Sequence, residues 1–498
     1  MELQFEKNSL AFLDRTLNET RGQEETAEVI VPDSFPDAER ILCTSASCVL
    51  RGKECRTGSI ILSGGIRAST LYVPEDGSWA RTLDAYIPFS VRIDHPSAGE
   101  SMQVLSCCAV RQADARLLNS RKILFRVSIG CTVQGFEART EELCTLKDKP
   151  EQLEIRTQSY PLRLPLMTAE KPFVMTEDVE LAAGEPPVTQ IVSYTTVPEI
   201  TDRKIVGARA VFKGELALHV LYQTAEHALM TLSRRIPFSQ YCDLPEDADG
   251  DAMDAWLCVT GAELEAEDGG ARLVLSVSLA AQCLVTGTRT VELIEDAYAV
   301  GAALDAKWQE LRPRCILDRQ TQSVPLRQQI NAEAAEIICC RVYADAPAQQ
   351  RTDAGVRITA PLHIYLLYRD ASGALQCAHQ HAECTYETAL SAGAQCSVCV
   401  TVPECAALLS AGGAEVRAEV GFELEFTSDQ TLRTLCGGTI DEAAADESRP
   451  SVILRVCPAG TALWELAKEY AARAESIAGA NHLTGDTVPE EMLLLIPM

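Results

Sequence analysis

Gly214-Glu215-Leu216-Ala217-Leu218-His219-Val220-Leu221-Tyr222 carries the clearest fold signal in this chain. Its apolar residues stand at every second position from Leu216 to Tyr222, which is the period-2 pattern of a β-strand that buries one face. Residues 66–72 and 362–368 repeat this pattern, the first copy ending at Tyr72 and the third at Tyr368. The chain therefore carries three related β-strands, each of which ends in a tyrosine.

A second alternating segment follows each of these strands at a nearly constant distance. These segments are residues 123–129, 273–279 and 416–424. A unit of roughly 150 residues is much longer than the few dozen residues of a solenoid repeat. We therefore predict a mainly β fold with three copies of a domain rich in antiparallel strands, each a sandwich or an open barrel.

The tyrosines that end the three strands are expected to share one role. A core tyrosine whose hydroxyl reaches the sheet edge is the ordinary role, and a ligand contact is the alternative. We predict that Tyr72, Tyr222 and Tyr368 are core residues of the three repeats.

The C-terminal segment differs from the three copies and predicts a small module of strands and helices. Residues 452–456 and 494–497 are short, apolar and strand-like. Between them, Leu463, Leu466 and Ala467 fall on one face of a helix together with Tyr470, at positions i, i+3, i+4 and i+7. A second short helix precedes the last strand. This order resembles a LysM module, a small β-α-α-β domain of proteins that contact bacterial envelopes.

The resemblance to LysM implies a binding surface around the glycine turn and the first helix. Glycan-binding LysM modules usually have a Gly-Asp-Thr-Leu turn, but the turn of this chain lacks the aspartate, and two acidic residues precede its last strand. We therefore expect protein binding ahead of glycan binding, although a tryptophan can stack on a sugar ring. The predicted partner-binding residues are Gly460, Thr461, Leu463, Trp464 and Tyr470.

Three β-rich copies followed by a LysM-like tail resemble the SPOCS-domain proteins of endospore-forming clostridia, of the SipL type. Their repeat motif G-x-L-x-x-x-V-L-Y is clearest at residues 214–222. The first copy keeps Gly64 and Leu71-Tyr72, and the third has Ala360 in place of the glycine. The resemblance extends from about Glu28 to Met498.

This resemblance implies a non-enzymatic scaffold of spore envelope and coat assembly, in the mother-cell cytoplasm at the forespore surface or in the spore coat. It implies that the LysM-like tail binds the morphogenetic ATPase that forms the basement layer of the coat, and that other coat proteins are partners. The alternative function is that of a peptidoglycan-binding or glycan-binding LysM protein of the cell or spore envelope.

The composition narrows the choice of partners and compartments. The formal net charge is −27, and so acidic a surface repels nucleic acid. The N-terminus lacks the basic start and apolar core of a secretion signal, and no apolar segment approaches the ~20 residues that a transmembrane helix needs. The 20 cysteines are scattered, often within apolar segments, and we expect reduced thiols rather than a disulfide framework.

No catalytic, metal or cofactor site is predicted. Cys396-Ser397-Val398-Cys399 is a lone C-x-x-C, and small side chains of a strand or loop are its simplest interpretation. His219 and His363 occupy related strand positions and are expected to be partly exposed rather than general bases. The acidic segment 243–254 lacks the regular spacing of a calcium loop, so we expect a solvated loop.

The domain boundaries follow from these repeats. We predict SPOCS-like repeats at 1–160, 161–297 and 298–447 and a LysM-like domain at 448–498. The expected connections are links at 147–150 and 160–165, a helical connector at 295–307 and an acidic tether at 441–450.

Overall fold

A computed structural model describes residues 1–246, 249–441 and 450–498 of the protein. Within these ranges the chain is mainly β, with two short α-helices near its C-terminus. The strands pair antiparallel, and one pairing order recurs three times along the chain. We call these groups the first, second and third strand sets.

The first strand set contains six strands in two sheets. The first and last strands of the set lie in one sheet, ordered β1-β6-β5, and the middle strands form a meander, ordered β2-β3-β4. The strands are β1 (Phe5–Ile30), β2 (Ala38–Arg56), β3 (Ser59–Pro74), β4 (Arg81–Asp94), β5 (Gln103–Asn119) and β6 (Lys122–Leu146).

The second strand set repeats this arrangement. Its sheets are ordered β7-β12-β11 and β8-β9-β10. A short 3-10 turn at Asp268–Gly270 joins β11 to β12. The strands are β7 (Leu153–Glu180), β8 (Gln190–Ile205), β9 (Arg209–Gln223), β10 (Leu229–Asp243), β11 (Ala252–Glu267) and β12 (Arg272–Ala299).

The third strand set has the same plan with interrupted strands. One sheet is ordered β14-β21-β19 with β20 also on β21, and the other has β17 between β15 and β18 with β16 also on β17. A separate pair, β13 with β22, extends the set. The strands are β13 (Ala303–Leu311), β14 (Arg314–Asn331), β15 (Ala334–Ala344), β16 (Ala348–Thr352), β17 (Gly355–Asp370), β18 (Leu375–Thr388), β19 (Gln395–Thr401), β20 (Cys405–Ser410), β21 (Gly413–Asp429) and β22 (Leu432–Asp441).

The two alternating segments of each repeat are central strands. Residues 66–72, 216–222 and 362–368 lie in β3, β9 and β17, which are the middle strands of their sheets. The later segments lie in β6, β12 and β21, the middle strands of the other sheets. A middle strand buries alternate side chains along most of its length, which explains why these strands give the strongest sequence signal.

A strand glycine lies under an aromatic ring in the first two sets. Gly214 pairs with Phe238, and Gly64 pairs with Phe89. A Cβ on Gly214 would lie 2.6 Å from the Phe238 ring and 2.0 Å from the carbonyl oxygen of Glu199. These positions therefore require glycine.

The third strand set lacks both members of this pair. Ala360 stands in place of the glycine and lies opposite Cys384, whose side chain is much smaller than phenylalanine. The third set therefore has neither the glycine nor the aromatic ring opposite it.

The three strand sets meet at a buried group of charged side chains. Glu425 of β21 binds two arginines, Arg15 of β1 and Arg319 of β14, and its Oε2 accepts from Arg319 Nε at 3.0 Å. Arg319 also contacts Asp254 of β11, which lies 3.2 Å from Arg203 of β8. We call this group the central ion cluster, and it joins all three sets.

The central ion cluster sets the charge state of Glu425. Burial raises the pKa of Glu425, but the attraction of Arg15 and Arg319 outweighs it and holds the pKa below its ordinary value. Because the folded pKa is lowered, the stability from this group is present above the ordinary glutamate pKa. It is lost as the pH falls through the folded value.

The C-terminal module comprises residues 450–498. Its strands β23 (Val452–Cys457) and β24 (Met492–Pro497) pair antiparallel, and the helices α1 (Leu463–Glu469) and α2 (Ala474–Ala480) lie between them in sequence. Neither of these helices, the only two α-helices in the described residues, is long and apolar enough to cross a membrane.

Two predicted connections are wrong. Residues 160–165 lie inside β7, where Pro161 pairs with Thr290 of β12. Because β7 is an edge strand, a proline can lack its N–H donor there without breaking the sheet. Residues 295–307 form the end of β12 and most of β13 rather than a helix, since β12 stays paired with β7 up to Ala299.

Two of the predicted domain boundaries lie inside strands, and the third lies outside the described residues. The boundary at 160/161 lies within β7 and the boundary at 297/298 within β12. The boundary at 447/448 and most of the expected acidic tether lie outside the described residues, as does Asp247 of the expected acidic loop. The division into domains stays a prediction.

Replacing Glu425 with glutamine tests the central ion cluster. Glu425→Gln leaves buried Arg15 without its carboxylate and leaves Arg319 with Asp254 alone, so we expect the free energy of unfolding to fall by ~3–5 kcal/mol at neutral pH. The matched control is Glu387→Gln, which removes a surface pair with Arg357 and should change stability by less than ~1 kcal/mol.

Denaturant titration of both variants at pH 7 and at pH 3.5 measures this effect. The difference between Glu425→Gln and the unaltered chain should shrink at the lower pH, because the glutamate approaches protonation there. Equal stability of the two variants at pH 7 would contradict the role given to the cluster.

Candidate functional site

The core of the C-terminal module forms from one face of each element. Leu463, Leu466 and Ala467 of α1 are at most 3% exposed. They pack with Ile477 of α2 and with the buried side chains of β24. The i, i+3, i+4 spacing of α1 thus serves the core of the module itself.

The side of α1 that carries Trp464 and Lys468 contacts the second strand set. Trp464 Nε1 donates to Asp296 Oδ2 at 2.8 Å, and Lys468 Nζ donates to Asp296 Oδ1 at 2.6 Å. The Trp464 ring meets Tyr298 edge-on, with ring centroids 5.0 Å apart. Trp464 therefore fixes the module against the end of β12.

Backbone contacts extend this docking. The Tyr298 hydroxyl donates to the carbonyl oxygen of Ala472 at 3.0 Å, and Gly301 N donates to that of Ala471 at 3.0 Å. Arg473 Nη2 donates to the carbonyl oxygen of Glu151 at 2.9 Å. The module is thus held by residues just before β7 and by residues at the end of β12, through both side chains and backbone.

Asp296 is the charged centre of this contact. Burial raises the pKa of Asp296, but the hydrogen bonds from Lys468 and Trp464 outweigh burial and hold the pKa below its ordinary value. The carboxylate is therefore ionised at neutral pH, which strengthens both hydrogen bonds.

The other predicted partner-binding residues lie in different surroundings. Gly460 is exposed and has a φ of 82°, a left-handed conformation that favours glycine. Thr461 is half-buried and donates to the carbonyl oxygen of Pro458 at 2.8 Å. Tyr470 is half-buried, and its hydroxyl accepts from Arg455 Nη1 at 3.0 Å. With Leu463 in the core, Gly460 is the one exposed member of the predicted group.

The exposed apolar surface of the module lies on its sheet. Side chains of β23 alternate, and those that point away from the helices are aliphatic. Leu493 of β24 pairs with Val456 of β23 and points the same way. The exposed side chains are Val452 at 46%, Leu454 at 62%, Val456 at 59% and Leu493 at 56%. We call these four residues the outer sheet face.

The side chains of the outer sheet face lie outside the hydrophobic core of the module. A half-buried strand normally presents polar residues to water, and a contiguous exposed apolar patch typically marks a site of interaction. The sequence predicted a strand at 452–456 but not the exposed apolar surface on one side of it. Its signal was the lack of alternation, since four of those five residues are apolar.

The repeat tyrosines lie at equivalent places with unequal burial. Tyr72 and Tyr222 are 0% and 1% exposed, and the Tyr72 hydroxyl donates to the carbonyl oxygen of Pro36 at 3.3 Å. Tyr368 is half-buried.

The C-x-x-C segment lies in β19. Cys396 and Cys399 pair with Phe426 and Glu423 of β21. Residues three apart in a strand point to opposite faces, so the two sulfurs cannot act together on one metal ion or form a disulfide.

Several other thiols line a cavity of about 1150 Å³ between the three strand sets. Burial raises the pKa of Cys107 and of Cys258 to about 12, so both are protonated at neutral pH. A nucleophilic cysteine needs a lowered pKa, and these two lining thiols have the opposite shift.

Of the two strand histidines, His219 is partly exposed as expected and His363 is not. His219 is half-buried, and its Nδ1 lies 3.0 Å from the Ser233 hydroxyl. His363 is only 6% exposed. The expectation for His363 is wrong.

One comparison with known proteins gives a match. Residues 187–266 match the family model described as SipL, SPOCS domain. The match covers β8 to β10 and nearly all of β11 in the second strand set, including the segment 214–222. No curated protein matches the chain. The matched domain family is of the scaffold type and is associated with a non-enzymatic role in sporulation.

Replacing Asp296 with asparagine tests the docking of the module. Asp296→Asn removes the charge that binds Lys468 and weakens a contact worth ~1.5–3 kcal/mol, so exchange of the Gly301 amide should accelerate about tenfold or more. Hydrogen exchange with mass spectrometry measures it. Asp305→Asn, at an exposed position of β13, is the control.

The same amide reports the pH dependence of docking. Since the pKa of Asp296 is lowered, the contact is strong above the ordinary aspartate pKa and weakens as the pH falls through the folded value. After correction for intrinsic exchange, protection of Gly301 should therefore decrease in acid. Unchanged protection in Asp296→Asn would contradict the assignment.

Proposed function

We propose that this protein is a non-enzymatic scaffold of spore envelope and coat assembly whose LysM-like C-terminal module binds the morphogenetic ATPase of the coat. The match of residues 187–266 to a sporulation-associated domain family supports the setting. The observation that carries the binding step is the outer sheet face, which nothing else in the described chain covers.

The docking of Trp464 supports a partner surface elsewhere on the module. Its indole N–H is bonded to Asp296 and its ring packs on Tyr298, so this side chain is not free to stack on a ligand. We therefore assign the partner surface to the outer sheet face, where Leu454 and Leu493 are exposed. Three other residues predicted for partner binding lie next to α1. Gly460 and Thr461 are in the turn before this helix, and Tyr470 follows its last residue.

Protein binding is favoured over glycan binding by the chemistry of this surface. Aliphatic side chains match an apolar protein surface, where burial contributes about 25 cal/mol per Å². A sugar instead needs an aromatic platform and many hydrogen-bonding groups. The acidic pair Glu490 and Glu491 before β24 adds negative charge without such a platform.

The three strand sets would serve as spaced binding units for other coat proteins. Several linked units raise the effective concentration of each contact, so weak contacts add up along one chain. In this proposal the units are the SPOCS-like repeats at 1–160, 161–297 and 298–447, and they act in the mother-cell cytoplasm at the forespore surface or in the coat. Tyr72, Tyr222 and Tyr368 support their cores.

Charged substitutions on the outer sheet face test the binding step. The double variant Leu454→Glu/Leu493→Glu should weaken binding of the purified ATPase by about thirtyfold or more, because central apolar contacts typically contribute ~2 kcal/mol or more. Both side chains are exposed, so the fold should persist. Leu408→Glu is the matched control, since Leu408 is 50% exposed on β20.

Isothermal titration of each variant against the ATPase gives the affinities. Unaltered affinity of the double variant would overturn the assignment of this face. Sedimentation with purified sacculi distinguishes the glycan-binding alternative from protein binding. We expect the full-length chain to stay in the supernatant, and co-sedimentation that excess free glycan abolishes would favour the alternative.

A further inference from the structure

Three histidines come together on one face of the third strand set. His363 on β17 pairs directly with His381 on β18, and His379 pairs with Tyr365. Because side chains two apart in a strand share a face, His379 and His381 lie beside each other and opposite His363. One ring nitrogen from each histidine can be chosen so that all three lie within 4.8 Å of one another.

The ring arrangement is compact. The centroids of His363 and His381 are 4.7 Å apart, as are those of His379 and His381. His379 stacks on Tyr365 with its ring plane within 4° of parallel, which restricts the orientation of its imidazole. Within the described chain, no second group of three potential ligands is this close.

A second observation points to a ligand. His363 is 6% exposed, and its buried Nδ1 has no hydrogen-bond partner. A buried polar atom without a partner is costly, and native structures rarely leave one unexplained. The other ring nitrogen, Nε2, lies 3.8 Å from Oδ2 of Asp345. A proton on Nε2 facing this carboxylate leaves the lone pair of Nδ1 free, as in the carboxylate–histidine–metal arrangement.

We propose that His363, His379 and His381 bind a divalent transition-metal ion of the zinc type. Three imidazoles with an open fourth position are a common ligand set for zinc, and imidazole also suits cobalt and nickel. The proposed scaffold role does not require this ion, so the metal site is independent of the proposed function.

Binding of a metal ion by the three histidines needs only small side-chain movements. Metal–nitrogen bonds of about 2.0–2.1 Å in a tetrahedral site place the nitrogens about 3.3 Å apart. His381 is exposed and can rotate to close this gap, while buried His363 and His379, which stacks on Tyr365, stay in place. Three histidine ligands leave the fourth position of a tetrahedral ion for water or for a side chain of a partner protein.

The site lies where the third strand set meets the first. The Tyr365 hydroxyl donates to Asp114 Oδ1 of β5 at 3.1 Å, and Asp345 lies 3.9 Å from Arg111 of the same strand. An ion bound by β17 and β18 would therefore stabilise the strand pair that presents Tyr365 to the first set. Binding to the folded state alone stabilises that state.

Cobalt titration of the full-length, reduced chain tests the proposal. Cobalt(II) is the probe because its visible absorption distinguishes nitrogen ligands from thiolates, which this cysteine-rich chain also offers. The measured quantity is the difference spectrum between the unaltered chain and the double variant His379→Gln/His381→Gln. Both substituted histidines are exposed. His482→Asn, an exposed histidine in the C-terminal module, is the matched control.

The expected difference spectrum shows tetrahedral nitrogen-ligand bands that saturate at one cobalt per chain. Affinity should fall about a hundredfold or more in the double variant and stay unchanged in His482→Asn. Circular dichroism should show that the variants are folded without metal. A null difference spectrum, or one dominated by thiolate charge transfer, would overturn the proposal.

Discussion

Glu425 and Asp254 are the buried carboxylates on which the assembly of the three strand sets depends. Each lies between arginines, and Arg319 contacts both, so the charges that link the first, second and third sets form one continuous cluster. Buried ions are tolerated only when paired, and loss of one partner leaves an uncompensated charge. Loss of one charge from the cluster therefore destabilises the junction of the three sets.

The strands that the sequence predicted best are those with the most uniform surroundings. The middle strands β9 and β12 alternate clearly, because one face of each meets a core along most of its length. The edge strand β7 carries Pro161 and was misread as a link, since an edge position removes the usual penalty for proline. The pairing order of the sheets leaves no local pattern, and the central ion cluster joins residues far apart in the chain.

In the C-terminal module, too, the sequence predicted the local structure but not the contacts between distant residues. The helical spacing of α1 predicted its buried face correctly, but Trp464 was interpreted as a partner contact. Its bond to Asp296 crosses 168 residues of sequence, and no periodicity reports such a contact. The outer sheet face was visible in the sequence as consecutive apolar residues, yet only the structure shows which of them are exposed. A module bound on one side and apolar on the other fits a scaffold that presents its tail to a partner.

The most direct test of this account is capture of the coat ATPase from a lysate of sporulating cells by two baits. One bait is the full-length chain, and the other ends at Asp441 and so lacks the C-terminal module. The account predicts that only the full-length chain captures the ATPase, while both baits show the same β-rich circular dichroism. Capture of the ATPase by the shorter bait at an equal level would contradict the claim that the module is the docking unit.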